Sequence, residues 1–475
     1  MNIHDKPFFV TCHTKHVGVG STFVALPGMN SHGASYIVEA LYKGARTIVT
    51  DKSLVLPSKI AHEIERVHAQ LIQVPNARKA LAEFAARAYD YPAKKLKIIG
   101  ITGTKGKTSC AWLAEHILQT AGLRTALIST VHNRIDDALF PAQLTTEHAD
   151  YLHAFLYQCV KQRIDVVVME VAAQALTLSR VHGILFDGII WTNFSQEHGE
   201  FYSTISDYFL AKKCIFEHAQ PTACVCINVD DVMSRSINYA SAIQISVHNI
   251  KCPIRVDKVY TNNIFGGLLF NVRYFDEEVS IECPHLFGEY NMSNIVLVAS
   301  LLHSMNISWK DIQNGIHSFQ GIPGRIERVP LKNGALGVCD YAHNPSSLYA
   351  VLSSLRMQTP HLLVIVGAGG MRDKNKRAVM GKIIADFAEE IFLTADNPRF
   401  ENVHTIIDDL LCGIHPTMRY KVTIEVDRER AIQKACSRSS SNSIIGLFGK
   451  GPDQYQIIGD QKIPFNEIDI LKKSL

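Results

Sequence analysis

The chain has 475 residues, 47% of them hydrophobic, with a formal net charge of +3. At roughly 100–200 residues per domain this is enough for about three domains, each with its own core. The near-neutral balance and the absence of long basic runs exclude a global electrostatic case for nucleic-acid or membrane-surface binding.

The first residues, MNIHDKPFFVTCHTKH, do not place a charged segment before a long apolar one, so no signal peptide is expected. Apolar runs such as 166–169 and 362–367 are strand-length and far too short to span a bilayer. Eleven scattered cysteines read as reduced thiols, so a cytoplasmic protein is expected. The 21 histidines include no HExxH arrangement, and no zinc site is expected.

Residues 1–96 read as a small α/β domain ending in the polar stretch Tyr89-Asp90-Tyr91-Pro92-Ala93-Lys94-Lys95. Strands are then predicted at 97–102, 125–129, 165–171, 187–192, 336–340, 362–367, 390–394 and 443–448. Helical patterns follow at 108–120, 205–216, 345–355, 376–388 and 427–436. This alternation predicts an α/β fold with parallel sheets covered by helices on both faces. A turn-rich stretch, Gly321-Ile322-Pro323-Gly324-Arg325, marks a second boundary. It divides a central domain, 97–325, from a C-terminal one, 326–475.

Between the first of these strands and its helix lies Gly103-Thr104-Lys105-Gly106-Lys107-Thr108-Ser109. Glycines let successive N–H groups face a phosphate, and the helix N-terminus adds its positive dipole end. In such a loop Lys107 bridges outer phosphates and the Thr108 hydroxyl holds Mg²⁺. Only two residues separate Gly103 from Gly106, where the common nucleotide loop has four. The competing reading is a ligand-free Gly/Lys-rich turn.

Glu170 ends a strand, where carboxylates of parallel sheets face the ligand crevice. His198 follows another strand within Thr192–His198, and the two side chains are candidates to share one cation. Taken alone, His198 reads more readily as a satisfied loop histidine than as a ligand. Lys212, by its local sequence, reads as an exposed helix lysine.

Taken together, these pieces resemble the Mur ligases, most closely the MurE branch, the UDP-N-acetylmuramoyl-tripeptide synthetases. The resemblance runs from about Val10 to the C-terminus and rests on motifs in matching order. It implies three domains: a small UDP-substrate domain, a central P-loop ATPase and a Rossmann-like C-terminal domain. It implies an ATP site of Gly103, Thr104, Gly106, Lys107, Thr108, Ser109, Asn291, Asn294, Arg325 and Asp340. Mg²⁺ would be held by Thr108, Glu170, His198 and a carbamylated Lys212. Thr145, Thr146 and Arg180 would face the nucleotide-sugar peptide.

In the last domain, Arg372, the run Asp396-Asn397-Pro398-Arg399, Gly449 and Asp453 would bind the incoming amino acid. Arginine clamps a carboxylate through two parallel hydrogen bonds, and an acid such as Asp453 suits an ammonium group. The resemblance links the Asp-Asn-Pro-Arg run to meso-diaminopimelate. Surface-paired arginines are the competing reading of Arg372 and Arg399. The expected activity is ATP-dependent amide formation through an acyl-phosphate, in peptidoglycan precursor synthesis, by a monomer. Cations and loop N–H groups would stabilise the phosphoryl transfer, and domain closure would exclude water.

The match is weakest on the UDP-sugar side. His13-Thr14-Lys15 stands for the family's Asp-Ser-Arg, and His32-Gly33-Ala34 for Asp-Gly-His. Ala172-Ala173-Gln174 stands for Ser-Ser-His, Glu147 follows the paired threonines in place of proline, and Pro452-Asp453 replaces His-Glu. Two other readings therefore stand beside the first: a Mur-type ligase with a different carboxylate acceptor, and a non-catalytic nucleotide-binding protein.

Overall fold

The computed structural model describes residues 3, 6–28, 32–195 and 201–474. These divide into two compact units: Met1–Asn262 with Leu268–Phe319, and Asn263–Gly267 with Gln320–Leu475.

The first unit opens with a four-stranded parallel sheet, β1 (Val10–Thr11), β2 (Thr22–Val24), β3 (Thr47–Asp51) and β4 (Gln70–Val74), in that order. The helix Ala77–Ala88 packs alanines and Leu81 onto this sheet's Val10, Val24 and Val49. An ordered link joins this layer to the following helix Ala149–Lys161, where Asp150 accepts from Thr11 Oγ1 (2.8 Å) and from Cys12 N (3.1 Å).

The larger sheet of this unit contains β5 (Lys97–Thr102), β6 (Thr125–Ile128), β7 (His132–Ile135), β8 (Ala138–Pro141), β9 (Val166–Glu170), β10 (Phe186–Trp191), β11 (Ala219–Asn228), β12 (Ala242–Ser246), β13 (Ile254–Asn263), β14 (Gly267–Tyr274) and β15 (Glu277–Cys283). Their order is β15-β14-β13-β12-β11-β10-β5-β9-β6-β7-β8. The middle is parallel, with β5 between β9 and β10; β7 and β8 at one edge and β14–β15 at the other are antiparallel. Every residue of β9, Val-Val-Val-Met-Glu, is buried. Such a run belongs to a parallel strand covered on both faces. The register sets Ile101 beside Glu170 and Thr102 beside Trp191, so three adjacent strands end together.

The second unit holds β16 (Glu327–Pro330), β17 (Leu336–Asp340), β18 (His361–Val366), β19 (Glu390–Leu393), β20 (Val422–Ile424) and β21 (Ser443–Phe448), ordered β16-β17-β21-β18-β19-β20. Only β16 is antiparallel. A hairpin, β22 (Tyr455–Ile458) and β23 (Gln461–Pro464), follows. The predicted strands and helices all form, mostly within a residue or two of their expected ends. The helix expected over 205–216 stops at Lys213 and continues as a 3-10 turn, Cys214–His218.

Candidate active site

The loop between β5 and the helix Lys107–Thr120 is tight enough to require its glycines. Gly103 has φ 140°, and a Cβ there would lie 1.9 Å from Thr192 Oγ1. Gly106 has φ 84°, and a Cβ would meet Asn294 Oδ1 at 2.6 Å. The segment following β10 clasps this loop. Thr104 N donates to Asn193 O (2.9 Å), Lys105 N to Asn193 Oδ1 (3.0 Å), and Asn193 Nδ2 to Lys105 O (3.1 Å). Ser195 N donates to Thr104 Oγ1 at 3.0 Å. Ser109 is half-buried on the first turn of the helix.

Two lysines converge here. Lys107 Nζ donates to Gly103 O (2.8 Å) and Thr104 O (2.9 Å), and Lys212 Nζ donates to the same Gly103 oxygen at 2.7 Å. Lys212 is only 1% exposed, with its ammonium 4.7 Å from the Tyr208 ring centroid. This corrects the reading of an exposed helix lysine. The helix Ile205–Lys213 turns Tyr208 and Lys212, four residues apart, inward on one face.

Glu170, at the end of β9, is fully buried. Its carboxylate accepts from Thr108 Oγ1 (3.0 Å), Thr130 N (2.8 Å) and Thr130 Oγ1 (3.2 Å). Thr130 and Thr145 hydroxyls meet at 3.1 Å. Thr146 Oγ1 donates to Glu170 O (2.8 Å) and accepts from Ala172 N (3.0 Å), while Arg180 Nη1 donates to Thr146 O (2.8 Å). Thr108, Thr145, Thr146, Glu170 and Arg180 are thus brought together. The paired oxygens of Thr108 and Glu170 beside the loop are hard donors of the kind Mg²⁺ takes, so the described residues fit that ion. His198 lies outside the described residues.

At the helix Glu289–Ser304, Asn294 packs against the loop at Gly106, and Asn291 Nδ2 donates to Phe287 O at 2.8 Å. On the substrate side, the two histidines that break the motifs are turn caps. His13 Nδ1 accepts from Lys15 N (3.1 Å) and His32 Nδ1 from Ala34 N (3.0 Å). Glu147 is buried and accepts from Gln143 N (2.7 Å) and Leu144 N (3.2 Å), closing the turn that carries the paired threonines.

Within the second unit, Asp340 ends β17. Its carboxylate accepts from Ile326 N (2.9 Å) and Ala342 N (2.8 Å). Burial pushes its pKa up, against the opposing pull of Arg325. The Arg325 guanidinium lies 4.9 Å from the Tyr341 ring centroid. The loops after β18, β19 and β21 interlock. Gly370 N donates to Asn397 O (2.9 Å), and Arg399, at φ 54°, returns Nη1 to Gly370 O (2.9 Å). Gly449, at φ 110°, has no room for a Cβ, which would sit 2.8 Å from Asp396 Oδ2. Arg372 is exposed, and burial raises the pKa of Asp453.

Three family models match the chain: Mur ligase family, catalytic domain, over 8–89; Mur ligase middle domain over 101–302; and Mur ligase, glutamate ligase domain, over 324–451. UDP-N-acetylmuramoyl-L-alanyl-D-glutamate–2,6-diaminopimelate ligase of Caldanaerobacter subterraneus is 34% identical, across 95% of this chain and 91% of that protein. The chain belongs to the Mur ligase family. The Bacillus licheniformis protein of the same name is 33% identical over 97% of this Mur ligase and 93% of its own length. Among solved structures, a diaminopimelate ligase of that name superposes with TM-score 0.69 at 24% identity, covering 98% and 94% of the two chains. MurF ligase from Thermotoga maritima, in complex with ADP, gives 0.64 at 16% identity over 94% and 95%. These two similarities establish the fold.

Two residues of this Mur ligase that the sequence did not single out enter its candidate sites. Thr130 supplies two donors to Glu170; its signal is its place just past the predicted strand 125–129, adjacent to β9 in the sheet. Lys450 is fully buried among the loops that hold Asp396 and Asn397, and it lies inside the Gly449–Asp453 stretch.

Proposed function

We propose that this Mur ligase adds meso-diaminopimelate to UDP-MurNAc-L-Ala-D-Glu, converting ATP to ADP and phosphate. The convergence of Lys107 and Lys212 on one oxygen, beside the buried Thr108–Glu170 pair, carries this reading. A carboxylate attacking a terminal phosphate builds negative charge, which Lys107 and metal ions held beside this loop would offset. In this assignment the phosphates lie on the N–H groups of residues 103–109, and Lys107 neutralises the outer ones. Asn291, Asn294, Arg325 and Asp340 serve the nucleoside side.

Thr108, Glu170 and His198 would hold Mg²⁺, which would supply positive charge to the phosphate oxygens. Lys212 would act as a carbamate: its neutral amine adds to CO₂, one proton leaves, and the single negative charge shared by the two carbamate oxygens would help hold a second Mg²⁺. Thr145, Thr146 and Arg180 orient the acceptor. Arg372, Asp396, Asn397, Arg399, Gly449 and Asp453 receive the amino acid, whose free amine attacks the acyl-phosphate. The division into domains 1–96, 97–325 and 326–475 follows the same reading. So does a cytoplasmic monomer working on small molecules; no helix among the described residues is long and apolar enough to cross a membrane.

A second acceptor class is favoured by one observation. Ala172 and Ala173 offer no hydroxyl beside Thr146, and His13 and His32 spend a ring nitrogen on turns. The deciding assay is phosphate release with ATP, Mg²⁺ and UDP-MurNAc-L-Ala-D-Glu, offering meso-diaminopimelate and L-lysine separately. Release with diaminopimelate alone is expected. No release with either amino acid, from folded protein that binds ATP, selects the different acceptor.

A further inference from the structure

Lys450 is 0% exposed, and its ammonium is held by groups from two other segments, 396–397 and Tyr455. Nζ donates to Asn397 Oδ1 (3.1 Å) and Tyr455 O (2.7 Å), and lies 3.4 Å from Asp396 Oδ1. Burial lowers its pKa and the Asp396 carboxylate opposes that shift. An ammonium taken out of water without a compensating charge is strongly disfavoured, so the carboxylate is what makes the site tolerable.

The consequence falls on Asn397. An amide side chain has an acceptor end and a donor end that differ little in shape, so its orientation is set by its partners. Asn397 Oδ1 takes two donors, Lys450 Nζ and Ile457 N (2.9 Å). An ammonium has three protons and no acceptor, so it cannot face the NH₂ end. Nδ2 is thereby directed away from Lys450 and has no hydrogen-bond partner among the described residues. Around it, Asn397 O accepts from Gly370 N, and Arg399 bonds Gly370 O. The fixed amide thus presents a donor in the loop that bears Arg399.

We propose that Lys450 is a positioning residue that locks the Asn397 amide with its NH₂ group toward a ligand carboxylate, giving the amino-acid site its selectivity for an anionic end group. This rests on the assignment of these loops to the amino-acid substrate. Without Lys450 only the Ile457 N–H opposes a flip, which would set a carbonyl oxygen against that carboxylate.

The test uses Lys450→Met, Lys450→Gln and Asn397→Asp in the full-length protein, with thermal melting to verify folding. Lys450→Met is expected to raise KM for meso-diaminopimelate at least tenfold with KM for ATP within twofold. Lys450→Gln, which keeps a donor, should recover part of the loss. Asn397→Asp retains acceptors for both donors but removes the NH₂ group, and should also raise KM for the amino acid. Amide exchange separates the causes without any substrate. Ile457 N–H should lose protection about tenfold in Lys450→Met and keep it in Asn397→Asp. An unchanged KM for diaminopimelate in Lys450→Met overturns the proposal. If the wild type turns over no diaminopimelate, the substrate assignment fails, and exchange at Ile457 decides the amide lock: lost protection supports it, unchanged protection overturns it.

Discussion

Lys212 and Lys450 are the two fully buried lysines among the described residues, at 1% and 0% exposure, yet their surroundings differ in kind. Lys212 shares one carbonyl oxygen with Lys107, so two ammonium groups gather at the phosphate loop. Lys450 sits beside a carboxylate and donates to an amide and a main-chain oxygen. Two ammonium groups at one loop make a place suited to an incoming anion, or to conversion of one of them to a carbamate. An ammonium beside a carboxylate is already compensated and acts through what it holds in place. Burial alone therefore does not assign a lysine its role; the charge of its neighbours does.

The sharpest way to break this contrast is Lys107→Ala. If Lys107 stabilises charge that develops only during phosphoryl transfer, kcat for phosphate release should fall about 10³-fold. A loss of ATP affinity with kcat unchanged would make it a ground-state binding group. Lys212→Ala should cost about 10²-fold, and high bicarbonate should not restore activity, because no amine remains to carry a carbamate. Full activity in that variant would remove the carbamate from the scheme and reduce Lys212 to a buried scaffold.

On the other side of the comparison, Arg399→Ala should raise KM for diaminopimelate roughly 10–100-fold, the loss expected for a charge-assisted pair worth about 1.5–3 kcal/mol. KM for ATP should stay within twofold. Equal rises in both would make Arg399 a general loop-holding residue, consistent with its bonds to Gly370 O and Asn397 O.

The sequence was most legible where periodicity and motif coincide. The strands 97–102 and 443–448 form as read, and Gly103 and Gly106 occupy positions that only glycine tolerates. Lys212 was legible as a motif match and misread as a surface residue. Its burial depends on which face the helix Ile205–Lys213 turns inward, and that short helix has little amphipathic pattern to announce it. The edge strands 254–283 were not read at all. β13 is mostly exposed or half-buried, and its polar alternation gives little apolar signal. Thr130 and Lys450 went unnoticed for another reason: their partners, Glu170 and Asn397, are 40 and 53 residues away in the chain.

Thr130 gives a smaller test on the phosphate-loop side. Thr130→Val keeps the N–H bond to Glu170 but removes the hydroxyl. Outer partners of metal-binding carboxylates orient them, so the Mg²⁺ concentration for half-maximal activity should rise about tenfold. An unchanged Mg²⁺ requirement would mean that the Thr130 hydroxyl is not needed to hold Glu170 in place.

His153 supplies the limiting case, a buried basic group with no hydrogen-bond partner. It is 0% exposed in the helix Ala149–Lys161, neither ring nitrogen is bonded among the described residues, and burial lowers its pKa to about 4, against the opposing effect of Asp150. Unlike Lys450, it meets its desolvation by giving up its charge. The unfolded chain takes up this proton near the ordinary value of about 6.5, whereas the folded chain does not until about pH 4. Between those values the unfolded state binds more protons, so stability rises with pH across the window. The contribution is fully present above about pH 6.5 and declines as pH falls toward 4, by up to about 3 kcal/mol. The depressed His132 adds a fall of the same sign, because its pKa is also lowered to about 4 by burial. His153→Leu should therefore flatten, without abolishing, the drop in melting temperature between pH 7.5 and pH 5. An identical drop in wild type and variant would show that His153 reaches a proton partner in the folded state, and that buried basic groups here are compensated in every case.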